Sequence, residues 1–289
     1  MVETFSPDWL DLREPADARA RDGALAAALV SLLPPRPKLI DLGAGTGSLF
    51  RWLAPRIRGP QAWTLVDADA SLIERAFDTI AGRVLQVGFR ISAPSKRVLL
   101  VHAPMGAWRV EGLIADLADT PDWLPDREAD AVVCSALLDL VSQDWLEDFA
   151  DVLAVPFYAA LSVDGRDRFW PPDRRDAMVA QGFRRDQVRD KGFVGPALGA
   201  AAGHAAARAF AARGFAVHTA RSPWRLGAAE PALLAQLVAG HAAAAALATP
   251  HRFRPILGWG TERQLQARRG RLRATIGHLD LLALPPTGD

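Results

Sequence analysis

Cysteine is almost missing from this chain of 289 residues, because Cys134 is the only one. A disulfide within the chain is therefore excluded. The N-terminus has no basic segment followed by an apolar run, so we expect no signal peptide. No uninterrupted apolar stretch approaches the ~20 residues that are needed to span a bilayer. These absences predict a cytoplasmic protein that does not bind a membrane.

An excess of charge of either sign is also missing. The chain has 34 lysines and arginines against 33 acidic residues, which gives a formal net charge of +1. This balance argues against a strong general attraction to nucleic acid. The six histidines are scattered, and none belongs to the C-x-x-C or H-E-x-x-H spacings that are typical of zinc sites. We therefore expect no metal site.

Short apolar segments alternate with helical patterns through residues 38–165. The segments with the character of buried strands are KLIDL from residue 38, AWTLVDAD from 62, VEGLIADLA from 110, DAVVCSALLDL from 130 and PFYAALSVDG from 156. A helix precedes the first of them, and residues 84–107 are expected to add a strand, half of an extra hairpin. Strands that alternate with helices in this way indicate a doubly wound, mostly parallel α/β sheet.

The last third of the chain interrupts this pattern. Residues 166–200 are rich in charge, proline and glycine, and residues 222–270 are alanine-rich and helical. We interpret both as cap-like insertions into a single domain that spans residues 1–289, with residues 38–165 as its core. The basic residues between 166 and 191 are interleaved with acidic ones, which favours a solvated surface over a nucleic-acid interface.

Three alternate glycines, Gly43, Gly45 and Gly47, follow the first strand within LIDLGAGTGSL. Each glycine in a folded position costs roughly 0.5–1 kcal/mol relative to alanine, so the cluster needs a reason. A glycine turn between the first strand and the first helix of an open α/β sheet is where nucleotide-like ligands bind. Ser48 stands where the dinucleotide fingerprint has its third glycine, which argues against a nicotinamide cofactor.

Two carboxylates narrow the choice of ligand. Asp41 lies two residues before Gly43, where it would repel a pyrophosphate and attract an ammonium group. Asp67 ends the second strand, 20 residues after Gly47, and acidic residues there accept hydrogen bonds from ribose hydroxyls. The ligand should therefore carry a ribose and a positive amine without a phosphate. S-adenosylmethionine fits this description.

These motifs, together with WTLVDAD, GLIADLA and ADAVVCSALLDLVS, resemble the successive motifs of class I S-adenosylmethionine-dependent methyltransferases. The resemblance covers roughly residues 38–165 and implies a seven-stranded, Rossmann-like sheet that ends in an antiparallel strand pair. It implies a cofactor site made of Asp41, Gly43, Ala44, Gly45, Gly47, Asp67, Ala68, Asp116, Leu117 and Ser135.

The resemblance also implies roles within that site. Asp41 and the turn would hold the methionine part, and Asp67 would bind the ribose. Asp116 would accept a hydrogen bond from the adenine amino group, with Ala68 and Leu117 packing nearby. Ser135 and Ala136 would lie beside the sulfonium. An N-terminal helix often covers the cofactor in this family, so Arg13 or Arg21 is a candidate partner of the methionine carboxylate, although an ordinary surface arginine is the favoured interpretation.

The expected function is methyl transfer to a small-molecule acceptor. Asp139 and Asp164 are weak candidates for orienting or deprotonating that acceptor, against the interpretation that each is a loop carboxylate in a salt bridge. The first alternative is an RNA methyltransferase. The second is a non-catalytic subunit with a methyltransferase-like fold, and in such a subunit side chains would close the acceptor cavity. The inserted segments could form either a substrate lid or the contact of a homodimer.

Overall fold

The computed structural model describes residues 5–119 and 128–286. Nine strands form the main sheet in the order β3-β4-β5-β2-β1-β6-β7-β12-β9, and three short strands form a second sheet in the order β10-β11-β8. The strands are β1 (Lys38–Leu42), β2 (Gln61–Asp67), β3 (Arg90–Ser95), β4 (Val98–Ala103), β5 (Gly106–Ile114), β6 (Ala131–Ser135), β7 (Phe157–Val163), β8 (Arg168–Trp170), β9 (Ala216–Arg221), β10 (Trp224–Leu226), β11 (Arg273–Ile276) and β12 (His278–Leu284).

Helices connect these strands and cover both faces of the main sheet. They are α1 (Pro7–Ala20), α2 (Gly23–Leu32), α3 (Ser48–Leu53), α4 (Ala70–Gln86), α5 (Gln143–Val152), α6 (Asp176–Gln187), α7 (Ala202–Ala212), α8 (Pro231–Ala248) and α9 (Phe253–Arg268). Neighbouring side chains of β1 point into different cores, because Leu39 packs in one cluster and Ile40 in the other. The sheet is therefore buried on both faces, as parallel sheets are.

The main sheet has nine strands, so the expectation of seven was wrong. The two additional strands are the antiparallel hairpin β3–β4, which pairs with β5 at one edge. At the other edge β12 runs antiparallel to both β7 and β9. The strands from β5 to β7 form a parallel core. Four of the eight pairings are thus antiparallel, and only the centre of the sheet is parallel.

The N-terminal segment forms two helices, where the sequence predicts one. The backbone leaves the helical conformation at Arg21, whose ψ is 134°, and Asp22 caps the second helix by accepting from the N–H groups of Ala24 and Leu25. The N–H of Asp22 donates to the buried carboxylate of Asp280 on β12. This break turns α1 away from α2 and directs it across the glycine turn.

The two inserted segments pack against each other and build a third apolar core. Strand β8 of the first insertion pairs with β11, and α6 packs against α8. A buried guanidinium links the two segments, because Arg263 of α9 donates to both carboxylate oxygens of Asp176 at 2.7 and 2.9 Å. The insertions therefore form one layer beside the main sheet, at the carboxyl ends of its parallel strands.

Helix α8 is, by length and composition, apolar enough to cross a membrane, and 44% of it is buried inside the protein. Buried helices of globular cores have the same composition. Here α8 packs between α6 and α9 and contributes Leu234, Val238 and Ala245 to the third core.

Candidate functional site

The glycine turn joins β1 to α3 with three residues in the left-handed region. Gly43, Gly45 and Gly47 have φ values of +62°, +54° and +80°, which L side chains rarely adopt. A Cβ on Gly43 would also lie 3.3 Å from the side chain of Leu137. A Cβ on Gly47 would instead lie 3.2 Å from Ala76 of α4. Gly47 thus serves the packing of the turn on α4 and does not line the cavity described next.

A cavity of about 510 Å³ lies above the turn, at the carboxyl ends of the parallel strands. Nine of the ten residues that the sequence predicts for a cofactor site line it, all except Gly47, and Ala136 lines it as well. They are Asp41, Gly43, Ala44, Gly45, Asp67, Ala68, Asp116, Leu117 and Ser135. The strand order therefore brings together residues that are up to 94 positions apart in the sequence.

Asp41 places a buried carboxyl group on the wall of this cavity. Its side chain is 1% exposed, and neither carboxylate oxygen accepts a hydrogen bond from a residue that the structure describes. Burial raises the pKa of Asp41 from 3.8 to about 8, a rise that the nearby Arg21 opposes and Asp67 reinforces. A buried carboxylate without a donor is costly, so this position favours a ligand that brings a positive charge.

Arg21 lies in the same cavity and is buried, so the interpretation of Arg21 as a surface arginine was wrong. Its Nη2 atom donates to the hydroxyls of Ser48 and Ser135 at 3.0 and 3.1 Å, and Nη1 donates to the Ser48 carbonyl at 3.3 Å. Burial lowers the pKa of Arg21 below its usual value, while Asp17 opposes that shift. An arginine stays charged at neutral pH. The cavity therefore holds a buried cation beside a buried acid.

Asp67 supports the turn with both of its oxygens. Oδ2 accepts from the N–H of Gly45 at 2.8 Å, and Oδ1 accepts from the N–H of Asp69 at 3.0 Å. Burial raises the pKa of Asp67, and these backbone N–H groups oppose the rise. Each carboxylate oxygen can accept a second hydrogen bond, so Asp67 still has acceptors for a ligand's hydroxyl groups.

Two further acidic residues accept hydrogen bonds at the start of a helix. Asp69 accepts from the N–H and the hydroxyl of Ser71 and caps α4. Asp116 accepts from the N–H of Ala118 at 2.9 Å and starts the short 3-10 helix Leu117–Asp119. The exposed Asp116 and the buried Leu117 both face the cavity.

Helix α1 forms the roof of the cavity and is fastened by a buried ion pair. The Glu14 carboxylate accepts from Arg51 at 3.0 and 2.6 Å, and also from Arg83 of α4 at 3.0 Å. Glu14 and Arg51 are each about one-twentieth exposed. Replacing Glu14 by Gln weakens its contacts with the buried Arg51 and the half-exposed Arg83, and hydrogen bonds to charged groups contribute about 1.5–3 kcal/mol.

We expect Glu14→Gln to lower the free energy of unfolding by about 1.5–3 kcal/mol, measured by denaturant titration. Arg19→Ala is the matched control on the same helix, because Arg19 forms an exposed pair with Glu230 at 2.8 Å. An exposed pair contributes about 0–1 kcal/mol, so this variant should stay close to the wild type. Equal losses in both variants would contradict the special role of the Glu14 ion pair.

A second cavity of about 590 Å³ adjoins the first. Phe5, Arg13, Ala136, Leu140 and Lys191 line both cavities and mark the boundary between them. The remainder of the second cavity is formed mostly by α1, α6 and α8, so the inserted segments supply much of its wall. The two cavities together offer adjacent compartments for two ligands.

The two carboxylates that the sequence proposes for acceptor chemistry have different positions. Asp139 lines the second cavity. Asp164 lines neither of the two cavities and forms a salt bridge with Arg166. That bridge holds the pKa of Asp164 below its usual value, although burial opposes the shift. The position of Asp164 therefore agrees with a loop carboxylate in a salt bridge, the other interpretation that the sequence allows.

Several charged residues of the first insertion form ion pairs with one another. Arg175 contacts Asp173 at 2.7 Å, and Arg189 contacts Asp186 at 2.7 Å. These pairs agree with the interpretation of a solvated, locally neutral surface. Among the described residues, no group of three or more histidine, cysteine, aspartate or glutamate side chains is arranged to hold a metal ion.

Comparisons with known proteins find likeness in structure but not in sequence. No family model matches the chain, and no curated protein matches it. The cyclopropane synthase MmaA2 from Mycobacterium tuberculosis aligns with 96% of this chain and 94% of its own, with a TM-score of 0.44 and 13% identity. The geranyl diphosphate C-methyltransferase from Streptomyces coelicolor aligns with 90% of this chain and 80% of its own, with a TM-score of 0.42 and 14% identity.

A third neighbour, the [4+2]-cyclase SpnF, aligns with 92% of this chain and 82% of its own, with a TM-score of 0.44 and 15% identity. Many of the structural neighbours are S-adenosylmethionine-dependent methyltransferases that align over most of the chain. The chain itself has an α/β fold whose mixed sheet has a parallel core.

Proposed function

We propose that the protein is an S-adenosylmethionine-dependent methyltransferase that acts on a small-molecule acceptor. The observation that carries the proposal is that one cavity holds two buried ionisable groups, the Asp41 carboxyl, whose ionised form a ligand's cation would stabilise, and the Arg21 guanidinium. Neither group contacts the other by a hydrogen bond. Such a pair fits the two charged ends of an α-amino acid, whose ammonium and carboxylate branch from one carbon.

The residues around this pair fit the rest of S-adenosylmethionine. Asp67, whose oxygens retain acceptor capacity, is placed to bind the ribose hydroxyls. Ala68 and Leu117 line the same end of the cavity and offer apolar contact to an adenine ring, and Asp116 offers an acceptor to its amino group. A pyrophosphate would meet Asp41 and Asp67 together and be repelled. This charge pattern favours S-adenosylmethionine over a dinucleotide.

The adjoining cavities support direct transfer between two bound molecules. When bound, S-adenosylmethionine supplies an activated methyl group on a positively charged sulfur. The protein then has to hold the acceptor in line with that methyl group and exclude water. Two adjacent compartments, each holding one reactant, would meet both requirements. Ser135 and Ala136 lie at the end of β6, and Ala136 lines both cavities, which supports methyl transfer across this boundary.

The open second cavity favours an enzyme over the non-catalytic alternative, which predicts an acceptor site closed by side chains. The acidic residues that are interleaved with the basic ones in residues 166–191 favour a small acceptor over RNA, because an RNA interface needs a basic surface to contact phosphates. The formal net charge of +1 points the same way.

We expect Asp67→Asn to weaken S-adenosylhomocysteine binding by about 1.5–3 kcal/mol, or roughly 10- to 150-fold, because charge-assisted hydrogen bonds to the ribose become neutral ones. Isothermal titration calorimetry measures the change. Asp78→Asn on α4, the helix that follows Asp67, is the matched control, since Asp78 is exposed and lines neither cavity. An unchanged affinity in Asp67→Asn would remove Asp67 from the site and count against the proposed cofactor.

A further inference from the structure

The wall of the second cavity is largely apolar and aromatic. Trp9 and Trp224 lie on it with their ring centroids 6.5 Å apart, in an edge-to-face arrangement. Phe183 lies on the opposite side, on α6, and stacks on His241 of α8 at 4.0 Å. A cavity of about 590 Å³ with such walls matches the size and the lining of sites for small organic ligands. The aromatic surfaces favour a flat molecule.

Most of the charges on this wall are neutralised by partners within the protein. Arg13 contacts both carboxylate oxygens of Asp17 at 3.0 and 3.2 Å. Lys191 contacts Asp186 at 3.4 Å, and His241 contacts Asp167 at 3.1 Å. A charged ligand would have to compete with these pairs and lose its own hydration. The wall therefore favours an uncharged ligand.

His278, the first residue of β12, carries an unsatisfied polar atom on this wall. The residue is 2% exposed, and its Nδ1 atom has no hydrogen-bond partner among the residues that the structure describes. Its ring lies 5.2 Å from that of Trp224, on which the Arg13 guanidinium stacks at 4.9 Å. Arg13 lines both cavities, so Trp224 connects His278 to a residue of the boundary between them.

The ring of His278 is neutral at physiological pH. Burial lowers its pKa to about 4, and the positive charge of Arg13 acts in the same direction. Asp17 of α1, and Asp164 and Asp167 after β7, oppose the shift without reversing it. A neutral imidazole has one nitrogen that accepts a hydrogen bond and one that donates. Since Nδ1 has no partner among the described residues, the ring keeps a hydrogen-bonding capacity that a ligand can use.

We propose that the second cavity binds an uncharged aromatic acceptor that carries a hydroxyl or N–H group, and that His278 recognises this group by a hydrogen bond. Calling this ligand an acceptor rests on the proposed function. Binding of the ligand to the second cavity does not itself require a bound cofactor. His278 would select molecules with the hydrogen-bonding group and hold that group, the one that can be methylated, at the boundary of the two cavities.

Phenol and toluene are matched probes, because they differ by a hydroxyl in place of a methyl group. We expect the ratio of the toluene Kd to the phenol Kd to fall about tenfold from the wild type to His278→Phe, since one buried hydrogen bond contributes about that factor. Gln236→Leu, at an exposed position of the same wall, should leave the ratio unchanged. Both dissociation constants are measured by nuclear magnetic resonance titration without cofactor.

The wild type gives a second measurement that does not depend on the folding of a variant. With isotope-labelled histidine, phenol should shift a ring-nitrogen resonance of His278 and toluene should not. An unchanged ratio, a phenol-induced shift at another histidine only, or the failure of both probes to bind would each overturn the inference. Binding of S-adenosylhomocysteine, titrated separately, reports on the proposed function, so the two can fail independently.

Discussion

Replacing Asp41 by Asn is expected to weaken S-adenosylhomocysteine binding by about 2–5 kcal/mol, which is roughly 30-fold to several-thousand-fold. The reason is that the ligand's ammonium group would lose its buried counter-charge, with both Asp41 oxygens deep in the cavity wall. The substitution keeps the size and shape of the side chain. Calorimetric titration of the two proteins side by side measures the difference.

The protonation of Asp41 predicts a release of protons on ligand binding, which a general loss of structure would not produce. Because the pKa of Asp41 is about 8 in the free protein, the carboxyl is mostly protonated at pH 7. An ammonium group stabilises the ionised form, so binding should release close to one proton at that pH. Titrations in two buffers with different heats of ionisation count this proton. Asp41→Asn should release none from this position.

The same shift predicts how the stability of the free protein depends on pH. Since the pKa of Asp41 is raised in the folded state, the stabilisation from holding its proton is complete below the ordinary pKa of 3.8 and is lost as the pH rises through about 8. The slope from this one group is at most ~1.4 kcal/mol per pH unit. Asp41→Asn should lack this contribution and gain stability relative to the wild type as the pH rises from 4 to 8.

The matched ligand for both effects is 5′-methylthioadenosine, which has the adenosine part but neither the ammonium nor the carboxylate. Its affinity should be nearly the same for the wild type and Asp41→Asn. If Asp41→Asn bound S-adenosylhomocysteine as tightly as the wild type does, Asp41 would not be the counter-charge of the amine. Equal losses for both ligands would indicate a damaged cavity instead.

Replacing Arg21 by Met should produce the second large loss of S-adenosylhomocysteine affinity, again about 2–5 kcal/mol, because a buried charge pair would lose one member. Methionine fills much of the volume of the arginine stem. The affinity for 5′-methylthioadenosine should change little, since that ligand has no carboxylate for the guanidinium. The same calorimetric titration measures both affinities.

Arg13→Met is the control that decides between the two arginines proposed from the sequence. Arg13 also lines the cavity, but both of its contacting nitrogens are engaged by Asp17. We therefore expect a much smaller loss than in Arg21→Met. If Arg13→Met had the larger effect, the ligand's carboxylate would have to be assigned to Arg13.

The core of the site could be predicted from the sequence because its signals are local. The three glycines need positive φ values that glycine adopts at low cost, and Asp41 lies on the strand that precedes them. The alternation of strands and helices then places Asp67, Asp116 and Ser135 at the same edge of the sheet. Those positions follow from chain order and strand length alone.

Arg21 could not be recognised in this way, since its burial depends on a tertiary arrangement. The helix break at Arg21 is marked by Asp22 as a cap, which is a local signal, but the direction of α1 across the turn depends on the Glu14 ion pair. The sequence predicts Gly47 in the cofactor site, but Gly47 packs on α4 for a similar reason. A Cβ at this position would lie 3.2 Å from Ala76 of α4, which packs there from a later part of the chain.

The second cavity was beyond local patterns for the same physical reason, whereas the hairpin at one edge of the sheet was expected in part from residues 84–107. Two insertions that are distant in sequence build the cavity together, and the pairing of β8 with β11 joins residues about a hundred positions apart. His278 gives no signal in the sequence beyond being one of six histidines. Only packing shows that its Nδ1 atom is buried without a partner.

The most direct test of the central claim is calorimetric titration of the purified protein with S-adenosylmethionine, S-adenosylhomocysteine and NADH. The account predicts micromolar binding of the first two, with release of close to one proton at pH 7, and no binding of NADH. Binding of NADH alone, or of none of the three, would contradict the assignment of the cavity above the glycine turn.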